Sequence, residues 1–336
     1  MGIKDTYVSR QRKILAGIGR VFMEQPNVLL AAVLAGLIGV MSVITRGLTS
    51  SRVNMVNVLI QSSTRGIAAV GQSFVILTSG IDISIGGVGL STAILGSVLM
   101  TTDMRLNVIN YAVLLPVGVL AMLMLGAGWG AINGLIVSRI GVPPLIVTLG
   151  MWQIATGLAF QLCGGYTIYG LPRSLAFFGQ GTIAGLPVPI IIFITVSVVA
   201  YFVLNHTIYG RSVYAVGGNP ISAQLCGIKV RNILFSVYII SGFLAGLAAL
   251  VMTGRVVTAS MASVGGLELD SIAAAVVGGI SLMGGRGSVI GVVLGAIIIG
   301  VLNNALSILG ANPAIQGAAK GVVIIGAVAV DYLRRR

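Results

Sequence analysis

The sequence predicts an all-α integral membrane protein, and three observations predict it. Of 336 residues, 57% are hydrophobic and only 8% charged, and the mean hydropathy is +1.06. A soluble domain carries charge on about a quarter of its residues, so this surface belongs in lipid. Apolar runs recur from about Val28 to the C-terminus, which assigns one transmembrane domain to residues 27–333 and a cytoplasmic N-terminal segment to residues 1–26. That segment carries Lys4, Arg10, Arg12, Lys13 and Arg20, as a signal peptide's start would. The apolar run after it is as long as a full span and shows no convincing cleavage site, so a retained anchor is expected.

A hydrocarbon core of about 30 Å needs about 20 apolar residues per helix, because in lipid each backbone N–H and C=O must find its partner within the segment. This ruler gives about ten transmembrane helices, at residues 27–45, 55–77, 85–101, 110–137, 144–163, 187–205, 233–253, 270–283, 288–308 and 315–332. The third and eighth are short or interrupted by Gly, with the second as a further candidate, and such segments are expected to be broken helices.

Charge placement sets orientation. With ten spans and an internal N-terminus, the cytoplasmic side collects the five N-terminal cations, Arg139, Arg211, Lys229, Arg231, Arg286 and Arg334–Arg336. The opposite side receives Arg46, Arg52, Arg105, Arg173 and Arg255, while Arg65 and Lys320 fall inside spans. This bias places both termini in the cytoplasm. The net charge of +13 would attract phosphate, but cations confined to span ends and short gaps serve topology, and no nucleic-acid partner is expected. Cys163 and Cys226 lie in different segments and support neither a disulfide nor a metal site.

Internal similarity suggests repeated halves. Ser62–Leu99 holds Gly66-Ile-Ala-Ala-Val, a Gly-rich break at Gly80–Gly87 and a small-residue helix. Leu269–Leu302 follows the same plan with Ser271-Ile-Ala-Ala-Ala-Val, a break at Gly284–Gly287 and a helix spaced by Gly291, Gly295 and Gly300. Two four-helix repeats are expected, at about 55–163 and 233–332, and they are inverted because spans 2 and 7 cross in opposite senses.

In the first break, Asp82 stands at the end of an apolar helix. A carboxylate at membrane depth costs on the order of 3 kcal/mol and persists only with a partner or water. Asp82 and Ser84 are candidate gate or pivot residues that bond free N–H groups of the next helix, or plain caps at the membrane surface. The second break, with Gly284, Gly285, Arg286 and Gly287, is a further gate candidate and looks at first like a phosphate loop. It fails as one, because the glycines are followed by Arg286 and then Gly287 where Lys and Ser or Thr should stand, and helices flank the break where a strand should precede it; the dinucleotide spacing fails as well. A tight bend with Arg286 at the cytoplasmic surface is the expectation.

The longest cytoplasmic connection, 206–232, contains Gly210, Arg211, Gly217, Gly218, Asn219, Pro220, Ala223 and Gly227. Asn219 can cap, Pro220 can open and Gly227 can end a short helix. Such a helix under the bilayer suits docking to a cytoplasmic partner, or lies there without one. Bulky replacement of Gly218 or Ala223 is expected to uncouple that partner while leaving the membrane fold intact. Within the spans the polar side chains are mostly amides. Gln72, Asn303 and Asn304 are candidates for a solute path, although amides also join helices.

Catalysis is poorly supported: His206 is the one histidine, and the spans hold no paired carboxylates. An ion-coupled secondary transporter would need ionisable groups at the midplane, for which Asp82 and Lys320 are the candidates.

Several stretches resemble a known family. Thr78-Ser-Gly-Ile-Asp-Ile-Ser-Ile-Gly-Gly, Gly210–Lys229, Gly266-Leu-Glu-Leu-Asp-Ser-Ile-Ala-Ala and Gly278–Gly291, with Gly300-Val-Leu-Asn-Asn, are similar to the ribose-type monosaccharide permeases of bacterial ABC importers, over about residues 50–332. The resemblance implies the type II importer fold and a multi-pass subunit of the bacterial inner membrane. It implies a second permease copy or paralogue, cytoplasmic ABC ATPase subunits that use ATP and Mg, and a periplasmic sugar-binding protein. No cofactor is expected on this chain itself. On the same footing, 210–229 is the ATPase-coupling segment, and Glu268 and Asp270 lie near the periplasmic mouth. Many relatives carry an acidic residue just after Gly-Gly-Asn, where this chain has the neutral Pro220-Ile-Ser-Ala.

Overall fold

Gly-spaced apolar helices build the bundle by bringing backbone against backbone. The computed structural model describes residues 26–102 and 111–333. The N-terminal segment with Lys4, Arg10, Arg12, Lys13 and Arg20, together with Arg105 and Arg334–Arg336, lies outside the described residues.

Each apolar run of the sequence is a helix: α1 (Pro26–Ile44), α2 (Arg52–Leu77), α3 (Ile85–Met100), α4 (Tyr111–Leu135), α5 (Pro144–Cys163), α7 (Val188–His206), α10 (Val230–Val256), α11 (Leu267–Val277), α12 (Val289–Ile308) and α13 (Pro313–Leu333). Of these, α1, α4, α5, α7, α10 and α12 are long and apolar enough to cross a membrane by length and composition. A π-helical turn, Ile136–Ile140, closes α4. Between α5 and α7 the chain adds α6 (Ala176–Gln180) and a hairpin of β1 (Thr182–Ile183) and β2 (Leu186–Pro187). Between α7 and α10 stand α8 (Ile208–Gly218) and α9 (Pro220–Leu225).

At the centre lies α2, packed on α10, α11, α12 and α7. Its residues from Ser62 to Leu77 are buried except for Arg65. Helices α4 and α10 pack backbone against backbone. A Cβ at Gly126 would overlap the Gly242 carbonyl oxygen, one at Gly130 that of Tyr238, and one at Gly246 would lie 2.6 Å from that of Met122. The glycine spacing of four on both helices therefore sets their approach. Gly278, Gly291 and Gly295 play the same part between α11 and α12. The outer faces are apolar, with Val43, Ile146, Phe160, Val199 and Phe202 exposed, as lipid contact demands.

The structure corrects two expectations. The second span is not broken: α2 runs unbroken for 26 residues. The eighth stops at Val277 instead of 283, because Gly279 takes a φ of 82° that ends the helix. The inversion expected from spans 2 and 7 is a separate matter from the similarity of Ser62–Leu99 to Leu269–Leu302, which joins helices of one direction. Arg65 meets Asp270, and Leu77 meets Gly285 further along both segments, so the helices leading into the two breaks run parallel. The pair that runs antiparallel is α2 and α10, with Gly71 beside Ser241 and Leu244, and Gln61 and Arg65 beside Met252 and Arg255.

Candidate functional site

Both Gly-rich breaks lie side by side at one end of the bundle, against the end of α8. The first begins where Thr78 and Gly80 each donate to the Val75 carbonyl, at 3.0 and 3.1 Å, and Ser79 takes a left-handed φ of 63°. In the second, Gly284, Gly285 and Gly287 have φ of 77°, 70° and 140°. The Gly285 N–H donates to the Leu77 carbonyl at 2.9 Å. Ser79 Oγ lies 2.8 Å from the Met283 carbonyl and 3.0 Å from that of Gly217. Tyr214 donates to the Gly287 carbonyl at 3.0 Å, and burial pushes its hydroxyl pKa up. A Cβ at Gly217 would overlap the Leu77 carbonyl oxygen. The structure thus gathers Gly217, Gly284, Gly285 and Gly287 into one junction. Arg286 is exposed, and its carbonyl accepts from the Ser281 N–H across the tight bend expected there.

Three residues beyond Ser79, Asp82 is 1% exposed and held from three helices. One carboxylate oxygen accepts from the Ser84 N–H at 3.0 Å and from the Ser84 hydroxyl; the other accepts from Ser241 of α10 at 2.7 Å. Ser84 in turn accepts from Asn133 of α4 at 2.8 Å. Ser84 occupies the cap position of α3 without bonding its N–H groups, so Asp82 and Ser84 join helices more than they cap one. Gln72, oriented with nitrogen toward the carbonyl, brackets the Asp82 backbone N–H and C=O at 3.1 Å each.

The 206–232 connection folds as its local signals predict, with one helix more. Thr207 caps α8 by accepting from the Gly210 N–H at 3.1 Å. Asn219 caps α9, its Oδ1 accepting from the Ile221 and Ser222 N–H groups at 3.0 Å each, and Pro220 opens the helix. Gly227 ends the segment with a φ of 84°. Arg211 and Gly218 are exposed, Ala223 is buried, and Ile221 and Leu225 are 73% and 84% exposed.

Away from this junction, Asp270 of α11 receives Arg65 Nε of α2 and Lys320 Nζ of α13, each at 2.6 Å. The Lys320 contact is an ion pair without hydrogen-bond alignment. A cavity of about 40 Å³ beside it is lined by Gln61, Thr64, Arg65, Arg255 and Asp270. The carboxylate of Glu268, half-buried, lies against Gly86 at the start of α3. Sequence reasoning missed Arg65 and Lys320 as partners of Asp270. The available signal was that two cations inside apolar spans require a carboxylate.

Two of the three path candidates bond within the chain. Gln72 is used by Asp82, and Asn304 exchanges amide hydrogen bonds with Asn54 at 2.8 and 2.9 Å. Asn303 is buried, with its amide unpaired among the described residues.

Residues 54–328 match the family model described as the branched-chain amino acid transport system permease component. The chain is 38% identical to the ribose import permease protein of Haemophilus influenzae over 294 residues, covering 86% of this chain and 87% of that protein. It is 38% identical to the fructose import permease protein of Rhizobium meliloti over 273 residues, 79% and 73% of the two chains. With the galactose/methyl galactoside import permease protein of Escherichia coli the identity is 37% over 294 residues, 84% and 88%. No solved structure matches the chain.

Proposed function

From a chain that belongs to the family of branched-chain amino acid transport system permease components, we propose the membrane passage for a monosaccharide or similar small polyol, delivered by a periplasmic binding protein and released to the cytoplasm. The chain is a multi-pass membrane permease of an ABC importer, a subunit that works with an ATPase and a binding protein. The substrate class rests on the curated relatives, whose names specify ribose, fructose and galactose or methyl galactoside.

One observation carries the assignment of the ATPase-facing end. The short helix α9 turns Ile221 and Leu225 to solvent, on a connection bonded to the first Gly-rich break through Gly217 and to the second through Tyr214. An apolar pair on a short exposed helix suits a partner's groove. Gly210, Arg211, Gly217, Gly218, Asn219, Pro220, Ala223 and Gly227 then form the coupling segment, and the neutral Pro220-Ile-Ser-Ala stretch makes the contact apolar. ATP and Mg belong to the ATPase, and two permease copies or paralogues face one another in the inner membrane. The loop charges favour cytoplasmic termini. Ten crossings over 27–333, arranged as repeats at 55–163 and 233–332, are supported by the antiparallel run of α2 and α10. Asp82, Ser84 and the glycines at 284, 285 and 287 are the pivot, and Glu268 lines the way in from the periplasmic mouth.

The test is reconstitution. The chain with its ATPase in liposomes should take up a pentose or hexose only when ATP is enclosed and loaded binding protein is outside. Uptake by the chain alone, driven by a proton or sodium gradient, would reverse the reading in favour of a secondary carrier.

A further inference from the structure

A single hydroxyl sits where the docking segment touches both breaks. Resting on the assignment of residues 206–232 as the coupling segment, we propose that Ser79 is a positioning residue of the transport cycle. Its hydroxyl fastens the end of α8 to both breaks, so that displacement of α9 by the ATPase is delivered to the segment that holds Asp82.

The geometry gives this link few soft parts. Ser79 Oγ is within hydrogen-bond distance of the Gly217 carbonyl at 3.0 Å and of the Met283 carbonyl at 2.8 Å, so one proton is shared between two chain segments that are 138 and 204 residues away. Around it the contacts are backbone on backbone. Gly285 N–H bonds the Leu77 carbonyl at 2.9 Å, and a Cβ at Gly285 would come within 2.9 Å of Gly218 Cα. Gly217 and Gly218 are followed at once by Asn219, the cap of α9, so a shift of α9 has no slack chain to absorb it. On the other side, Asp82 follows Ser79 by three residues and is bonded to α10 through Ser241. The left-handed φ of 63° at Ser79 aims its side chain into the junction, a conformation that L-residues seldom adopt and that persists where the surroundings enforce it. Ser79 is exposed, at the same surface as Gly218 and Arg286, where a docked subunit would bear on it.

The experiment uses the whole complex of permease, ATPase and binding protein in proteoliposomes, with hydrolysis and uptake read in the same vesicles. Ser79→Ala removes the hydroxyl and keeps the backbone constraint. Ser79→Gly removes both, since glycine takes a positive φ freely. Both variants should assemble, melt near the wild type and hydrolyse ATP in response to loaded binding protein. Sugar moved per ATP should fall about fivefold, the factor that one hydrogen bond carries. An unchanged ratio in both variants overturns the proposal, and so does a fall only in Ser79→Ala, which would trace the effect to backbone strain. If Ile221→Glu leaves ATPase binding intact, the coupling assignment itself fails, whatever the Ser79 variants do.

Discussion

Lys320 of α13 and Asp270 of α11 meet at 2.6 Å, and Arg65 of α2 takes the other carboxylate oxygen at the same distance. One buried carboxylate therefore holds three helices. Asp270→Asn leaves two neighbouring cations without their counter-ion and should cost about 3 kcal/mol or more. Lys320→Met should cost less, because Arg65 still pairs with Asp270. Thermal unfolding of the purified protein in detergent orders the two; Asp270→Asn melting with the wild type would show that the pair adds nothing.

Asn54 and Asn304 separate helix bonding from solute contact. Their reciprocal amide bonds join the start of α2 to the end of α12. Asn304→Leu should lose about 1 kcal/mol, in the range of polar contacts between membrane helices. Sugar uptake at saturating binding protein should be unchanged. A large uptake defect at an unchanged melting temperature would instead place Asn304 on the path.

How far the sequence could be read depended on the range of each signal. Asn219, Pro220 and Gly227 act within a turn of their own chain, and the α9 cap was predictable to the residue. The breaks were visible as glycine clusters for the same reason. Their meeting was not, because the bonds from Ser79 to Gly217 and Met283 depend on how three distant segments pack. The same holds for Asp270 with Arg65, 205 residues apart. Similar composition around the two breaks suggested repeated halves, yet composition carries no direction, and the parallel run of α2 and α11 is set by packing.

Gly217, Gly218 and Ala223 are close neighbours in the docking segment and should behave differently. A methyl group placed on Gly218 would meet no atom within 4 Å, so Gly218→Leu should fold normally and show its effect only against the ATPase, as hydrolysis without uptake. Gly217→Ala drives its methyl into the Leu77 carbonyl and to 2.7 Å from Gly285 N, and should lower the melting temperature and the yield. Ala223 is 4% exposed on the inner face of α9, so a bulky variant there acts on this segment's own packing while the membrane fold is expected to stay intact. Ala223→Leu should displace α9 and destabilise by about 1 to 3 kcal/mol, the cost of overpacking. Limited proteolysis within 206–232 reads that displacement; protection equal to the wild type would show that the site has room.

Asp82 distinguishes a brace from an ion carrier. Its carboxylate accepts from the Ser84 N–H and hydroxyl and from Ser241, and all of these are buried. In Asp82→Asn the side-chain oxygen keeps the Ser84 bonds, while the new amide donates to Ser241, whose hydroxyl only has to turn. The substitution should cost about 1 kcal/mol at most and leave ATP-driven uptake largely intact, the net worth of one hydrogen bond. Asp82→Ala strands a buried N–H and two hydroxyls, each at a cost of about 1 to 3 kcal/mol, and should abolish uptake by loosening the break. Loss of uptake in Asp82→Asn at an unchanged melting temperature would mean that the charge itself is used, and the bracing role would then be wrong.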